Sequence, residues 1–226
     1  MKRLSILFVL ALLTVTPGNA QQDPGLEVSV SSGIVLPSSP MTFSNYWNAQ
    51  YGGGLRAGYP LSRSVTLVGA VEYYQFKLNQ NGVANGFNTS YMSDIWIFKS
   101  VSLNASADPS SVTTVSANLR FAPSKLTGTV SPYFIGGVGV MRFSLSEIKL
   151  PTTSVLSVNG SDIAMTAQQT ITGGAETSAF FQLGMGFDIR VSQAFDVVVE
   201  ARYASGLNSG LRTTYVPITG GIKLRL

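Results

Sequence analysis

The sequence predicts an all-β protein, an eight-stranded antiparallel up-and-down transmembrane β-barrel with short turns at one end and long loops at the other. Three observations predict it. Charged side chains number 26 of 226, about 12%, against roughly 25% in a soluble globular domain. Eight segments alternate apolar with polar or small residues at period two, as strands do when each face meets a different environment. The links between these segments are alternately short and long, which in an up-and-down barrel gathers the turns at one rim and the loops at the other.

A targeting segment comes first. Lys2 and Arg3 precede an apolar run from Leu4 to Val15, and Thr16-Pro17-Gly18-Asn19-Ala20 ends in small residues, the layout of a secretory signal peptide cleaved after Ala20. The run of 12 residues falls short of the roughly 20 that a membrane-spanning helix needs. Residues 1–20 are therefore expected to be removed, leaving 21–226 as a single barrel domain with 13 basic and 11 acidic side chains. These charges are scattered singly and form no basic stripe, so no nucleic-acid partner is expected. No later apolar run is long enough to cross as a helix, and crossing falls to strands.

The strands follow in order. Val28 to Leu36 alternates with Ser29, Ser31 and Gly33, and Tyr51 to Tyr59 alternates with Gly52, Gly54, Arg56 and Gly58. Val65 to Lys77 carries Glu72 on its minority face, and Val115 to Phe121 opposes its apolar residues with Ser116, Asn118 and Arg120. In Pro132 to Ser144 the run Gly136-Gly137-Val138-Gly139-Val140 leaves the facing ambiguous, and Arg142 is used to set it. Phe181 to Val191 is the cleanest, with Phe181, Leu183, Met185, Phe187, Ile189 and Val191 on one face and Gln182, Gly184, Gly186, Asp188 and Arg190 on the other. Phe195 to Tyr203 opposes Asp196, Glu200 and Arg202, and Ile218 to Leu226 opposes Lys223 and Arg225.

A lipid-facing Arg or Lys near the bilayer midplane costs about 2 to 4 kcal/mol, so the charged faces are expected to point inward and the apolar faces to meet lipid. A soluble lipocalin-like barrel would have the inverse pattern. Aromatic residues near the strand ends predict two girdles: Tyr59, Phe121, Tyr133 and Phe195 toward the turns, and Tyr51, Tyr73, Phe143, Tyr203 and Tyr215 toward the loops.

Ser131-Pro132-Tyr133-Phe134-Ile135-Gly136-Gly137-Val138-Gly139-Val140, Phe195-Asp196-Val197-Val198-Val199-Glu200-Ala201-Arg202-Tyr203 and the stretch Val216 to Leu226 resemble small OmpA/OmpX-like outer-membrane β-barrel domains. The likeness covers roughly Gly25 to Leu226 and lies in the order and spacing of the motifs more than in any one of them. It implies integral residence in the outer membrane of a Gram-negative-type bacterium, periplasmic turns and extracellular loops, contact with outer-membrane lipid, and insertion by the barrel assembly machinery. Leu226 stands where the family usually ends in an aromatic, although Ile222, Leu224 and Leu226 keep the alternation. The peptidoglycan-binding domain of longer relatives, and its role, are not expected to carry over.

Chemistry is mostly excluded. The chain has no cysteine and no histidine, which removes disulfides, thiolate nucleophiles, cysteine zinc sites and serine–histidine relays. Enzymatic outer-membrane barrels of similar kind rely on histidine, so the resemblance carries no enzymatic mechanism here, and no catalytic residue, metal or cofactor is expected. Gly136-Gly137-Val138-Gly139 lies within a strand with no helix after it, unlike a phosphate-binding loop.

What the lumen holds is a set of charges. Glu27, Glu72, Asp188, Asp196 and Glu200 are its expected acids, and Arg56, Arg120, Arg142, Arg190, Arg202, Lys223 and Arg225 its expected bases. An eight-stranded barrel is just wide enough for side chains to fill it, so a salt-bridged plug is expected in preference to a porin-like channel. The surplus of two bases leaves a weak anion preference at a lumen mouth open. In the loops, Phe43, Tyr46, Trp47, Trp96 and Phe98 read either as a surface partner site or as residues that pack the loops on one another. Thr152 to Thr177, rich in Ser, Thr and Gly, reads as a mobile loop or an extended hairpin. Two functions remain, a monomeric non-enzymatic barrel serving envelope structure or surface interaction, and a narrow channel or carrier for small or apolar solutes.

Overall fold

The computed structural model describes residues 25–91, 98–123, 129–158, 161–207 and 212–226. The expected signal peptide lies outside them. In chain order the elements are β1 (Glu27–Ser39), α1 (Met41–Tyr46), β2 (Trp47–Asn48), β3 (Gln50–Pro60), β4 (Val65–Leu78), α2 (Gln80–Tyr91), β5 (Phe98–Leu103), β6 (Ser106–Ala107), β7 (Ser110–Phe121), β8 (Val130–Leu145), β9 (Ile148–Val158), β10 (Ser161–Ile171), β11 (Gly174–Arg190), β12 (Phe195–Gly206) and β13 (Thr214–Arg225). No helix among the described residues is long and apolar enough to cross a membrane.

Eight of the strands pair antiparallel in the ring β1-β3-β4-β7-β8-β11-β12-β13, closed by β13 on β1. Closure leaves no free edge within the barrel wall, which satisfies every ladder group in a medium that offers no water. Each expected strand coincides with one of these eight, with Phe181 to Val191 and Ile218 to Leu226 overrunning β11 and β13 by one residue each. The short connections β3–β4, β7–β8 and β11–β12 lie at one rim, and the longer ones lie at the opposite rim.

Period-two alternation sets the wall. Leu183 is 61% exposed and Val138 65% exposed on the outside, while Gln182, Asn118 and Glu72 are buried on the inside. Near the loop rim the polarity of both faces inverts. On β4 the outward residues pass from Leu67 and Val71 to Gln75 and Lys77, while the inward ones pass from Thr66 and Glu72 to Tyr74, Phe76 and Leu78. On β7 the outward residues pass from Leu119 and Val115 to Thr113 and Ser111, and Val112 is fully buried inside. The strands are inside-out proteins within the bilayer and ordinary soluble ones above it.

This inversion corrects the expected facing of β8. Arg142 is exposed on the outside and Met141 is fully buried, so Tyr133, Ile135, Gly137 and Gly139 point inward and Phe134, Val138 and Val140 meet lipid. Arg142 lies beyond the point of inversion, where an outward charge is inexpensive, and it misreports the lower strand. Tyr133 and Phe143 consequently leave the girdles for the interior. Tyr215 does so as well, fully buried against Tyr74 and Phe76 at ring distances of 5.8 and 6.2 Å. Tyr51, Tyr59, Tyr73, Phe121 and Tyr203 are exposed on the outer wall, and Phe195 is half-buried there.

The loops form a folded cap. The hairpin β9–β10 pairs in one unbroken register from Ile148↔Ile171 to Val158↔Ser161, and β5 and β6 add to the other side of β9. A helix as short as α1 does not hold itself in water. It is pinned by Phe43, which packs edge-on to Phe76 at 4.9 Å and to Phe143 at 5.5 Å. Asn79 ties α1 to α2: its backbone N–H donates to Tyr46 O at 2.7 Å, its side-chain amide donates to Asn45 O at 3.0 Å, and its Oδ1 accepts from the Gly82 N–H at 3.1 Å. The last of these bonds is an N-cap on α2.

Candidate functional site in the barrel lumen

Ten charged side chains meet inside the barrel, and they form two clusters. The first surrounds Arg202 on β12, which reaches across the full lumen to β4, the strand opposite it in the ring. Its Nη2 donates to Glu72 Oε1 at 2.6 Å and to the Tyr74 hydroxyl at 3.0 Å, and its Nη1 donates to Glu72 Oε2 at 2.9 Å and to Gln182 Oε1 at 2.7 Å. Two parallel bonds from one guanidinium to one carboxylate make the strongest geometry available to an ion pair. Arg56 on β3 approaches the same carboxylate, with Nε and Nη2 at 3.1 and 2.9 Å from Glu72 Oε1. Glu200 Oε2 accepts from the Tyr133 hydroxyl at 2.7 Å. Glu200 Oε1 lies 2.7 Å from Arg202 Nε and 3.0 Å from Arg56 Nη1, ionic contacts without hydrogen-bond alignment.

The second cluster lies toward the turns. Arg120 donates to Glu27 Oε2 at 2.6 Å, stands 3.4 Å from Asp188 Oδ2, and sets its guanidinium 5.3 Å from the centre of the Tyr133 ring. Lys223 Nζ lies 2.5 Å from Asp188 and 3.0 Å from Asp196. Arg225 closes the group on Asp196, donating to Oδ1 at 2.6 Å and also contacting Oδ2. Beside both clusters a polar layer continues, in which Gln182 Nε2 donates to Asn118 Oδ1 at 2.6 Å and Asn118 Nδ2 to Ser116 Oγ at 3.0 Å.

Long side chains fit in so narrow a lumen because glycine stands beside them. A Cβ at Gly184 would lie 2.4 Å from Arg202 Cγ, and one at Gly54 would lie 2.6 Å from Glu72 Cγ. Both glycines are register partners of the residue they accommodate.

Charge balance follows from the placement. The first cluster holds Arg56 and Arg202 against Glu72 and Glu200, the second Arg120, Lys223 and Arg225 against Glu27, Asp188 and Asp196, so each is neutral. The expected surplus of two bases is a correction: Arg142 faces outward, and Arg190 is exposed at the last residue of β11, where solvent at the turn rim hydrates it. Between the clusters remains a cavity of about 20 Å³ bordered by Arg56, Arg120, Tyr133, Glu200 and Lys223, room for about one water.

Above the charges the lumen is closed by a buried apolar cluster that includes Phe43, Trp47, Phe76, Phe180 and Tyr215. This corrects the loop partner site. Phe43 and Trp47 are buried and Tyr46 packs against them, because the inward faces of the protruding strands offer them an apolar surface. Trp96 lies outside the described residues, and Phe98 opens β5.

Gln182, Asn118 and Tyr74 also belong to the network. Their parity relative to Asp188, Arg120 and Glu72 on the same strands was the signal available for them. Tyr133 has the parity opposite to Arg142 on β8, so no charge on its strand signals its inward position. Among the described residues no group of three or more metal-ligating side chains is placed to hold an ion.

A closed antiparallel ring of eight strands, apolar outside and filled with paired charges inside, defines an integral outer-membrane β-barrel protein. The chain matches the family model described as "Outer membrane protein beta-barrel domain" over residues 5–219, and it belongs to that family. Among solved structures it is similar to Neisserial surface protein A, at 14% identity with a TM-score of 0.50, covering 89% of this chain and 97% of that one. It is also similar to the attachment invasion locus protein of Yersinia pestis, at 12% identity and a TM-score of 0.43, covering 88% and 99%. A third is the N-terminal β-barrel domain of Pseudomonas aeruginosa OprF, at 12% identity and a TM-score of 0.42, covering 88% and 97%. Identities this low speak to the fold alone. No curated protein matches the chain in sequence.

Proposed function

We propose that the protein is a non-enzymatic, monomeric barrel of the outer membrane that contributes to envelope structure and to surface interaction through its extracellular cap, and that its lumen does not conduct. The observation that carries this reading is the filling of the lumen. Two neutral ion-pair clusters leave about 20 Å³ between them, and an apolar plug stands above. A conducting path would have to break several buried ion pairs at once, each costing about 3–5 kcal/mol when one partner is removed. Asp188, Asp196 and Glu200 all face cations, so none is free to serve as a general base.

Surface interaction is supported by β10. All of its residues are exposed, and Ile163, Met165 and Ile171, at 47%, 52% and 49% exposure, share one face of the hairpin. Such a stripe on a protruding sheet is the kind of surface that binds partners. The reading is tested with purified protein in a planar bilayer bathed in concentrated KCl. No reproducible conductance is expected, and steady, solute-dependent conductance would favour the channel instead.

A further inference from the structure

Arg142 is the outward charge at the upper limit of the apolar outer face of β8. The outward residues of β8 run Phe134, Gly136, Val138, Val140 and Arg142 from the turn side toward the loops. Antiparallel register aligns Arg142 with Thr113 on β7 and Thr177 on β11, and Thr113 with Tyr73 on β4. One step below, the corresponding row is Val71, Val115, Val140 and Ala179; one step above, it begins Gln75, Ser111 and Ser144. Neither polar row contains a carboxylate, and the Arg142 side chain is exposed. A lipid-facing arginine costs about 2 to 4 kcal/mol at the midplane and about 0 to 1 near the interface. This row therefore marks the headgroup level of the outer leaflet, where the outward Tyr73 also belongs.

The same wall carries a groove. Gly136, flanked by Leu119 on β7 and Leu183 on β11, leaves an open apolar depression of about 500 Å³ whose lower end is bounded by Phe134. It lies six residues below Arg142 on β8, about 20 Å along the strand and less in depth because barrel strands tilt.

We propose that the wall formed by β7, β8 and β11 binds one phosphate-bearing lipid of the outer leaflet, with its phosphate on the Arg142 guanidinium and an acyl chain running along Val140 and Val138 into the groove at Gly136. The guanidinium fork matches two phosphate oxygens, and the Thr113 and Thr177 hydroxyls flank it as further donors. Continuity of the charge with the groove below selects a lipid over free phosphate. The inference rests on the membrane placement of the barrel and is independent of whether the lumen conducts.

The test compares wild type, Arg142→Gln, Arg142→Lys and Gly136→Leu in a neutral detergent, with heat-modifiable gel mobility verifying that each is folded. Dimyristoyl phosphatidic acid, dimyristoylglycerol and inorganic phosphate are added separately and retained adducts are read by native mass spectrometry. Wild type should retain one phosphatidic acid at about tenfold lower concentration than the uncharged lipid. Arg142→Gln should abolish that preference and Arg142→Lys keep part of it. Gly136→Leu, whose side chain meets the flexible end of Leu183, should weaken retention of both lipids and leave the preference intact. An unchanged preference in Arg142→Gln, or displacement of phosphatidic acid by inorganic phosphate, would overturn the proposal.

Discussion

The membrane-embedded half of the barrel and the half that protrudes beyond it are built from the same strands with opposite polarity. Within the bilayer, β4 turns Leu67 and Val71 outward and Glu72 inward; beyond it, the same strand turns Gln75 and Lys77 outward and Phe76 inward. The lower half is held by paired charges and the upper half by apolar packing. Water explains the change. Above the membrane, burying Phe43, Trp47 and Phe76 removes apolar surface from water and stabilises the fold by roughly 25 cal/mol per Å². Below, the outer face is already matched to lipid, and ionised groups in the lumen are tolerable only if paired and hydrogen-bonded. The charged half accordingly specifies geometry, while the apolar half supplies stability of the ordinary kind.

The comparison predicts that breaking the charged half by one residue is the more damaging change. Glu72→Ala leaves Arg56 and Arg202 in a closed lumen with Glu200 as the one carboxylate between two cations. A loss of about 3–5 kcal/mol is expected, seen as a lower urea midpoint in lipid vesicles and loss of heat-modifiable gel mobility. Because that figure measures an uncompensated charge and not the worth of the pair, exchanging Glu72 and Arg202 together for apolar residues should cost markedly less than either single change. Equal losses in the single and double variants would mean that the charges are not acting as one network.

Next in size is Phe43→Ala, which empties a position between Phe76 and Phe143. Phe→Ala in a packed interior costs about 3–5 kcal/mol where the surroundings cannot collapse, and the short α1 can settle inward, so the lower end of that range applies. The effect should be confined to the cap: protease sensitivity should rise in the segment around α1 while the lumen clusters below keep the barrel closed in a planar bilayer. Conductance in this variant alone would show that the apolar plug is the only seal.

Much of the lower half was legible in the sequence because period two and a lipid-facing wall leave little choice. Phe181 to Val191 has every apolar residue at one parity, and its structure follows. Arg142 shows where the reading fails. Charges point inward only inside the bilayer, and a strand of 16 residues is long enough to cross the membrane and continue above it. Tyr215 and Phe143 misled for the same reason, since an aromatic at a strand end can belong to a girdle or to the core of the protruding half. The helices α1 and α2 had weak local signals; tertiary packing of Phe43 and the Asn79 cap place them, and neither is visible in a periodicity.

The smallest effect tests how far the rim of the charged half still behaves as interior. Arg225 is in contact with Asp196, but its side chain is 32% exposed, and the fully buried Asp196 keeps a second cation in Lys223 at 3.0 Å. Removing the arginine therefore strips no carboxylate of its last partner, and the exposed end of the bond is replaced by water. Exposed or half-exposed pairs contribute about 0.2–1 kcal/mol, so Arg225→Ala should lower the urea midpoint by an amount worth about 1 kcal/mol. Lys223→Ala in the same background should cost far more, because Asp196 would then be buried with no cation beside it. If Arg225→Ala alone proved as damaging as Glu72→Ala, the boundary between interior and rim would have to be moved below Asp196, toward the turns.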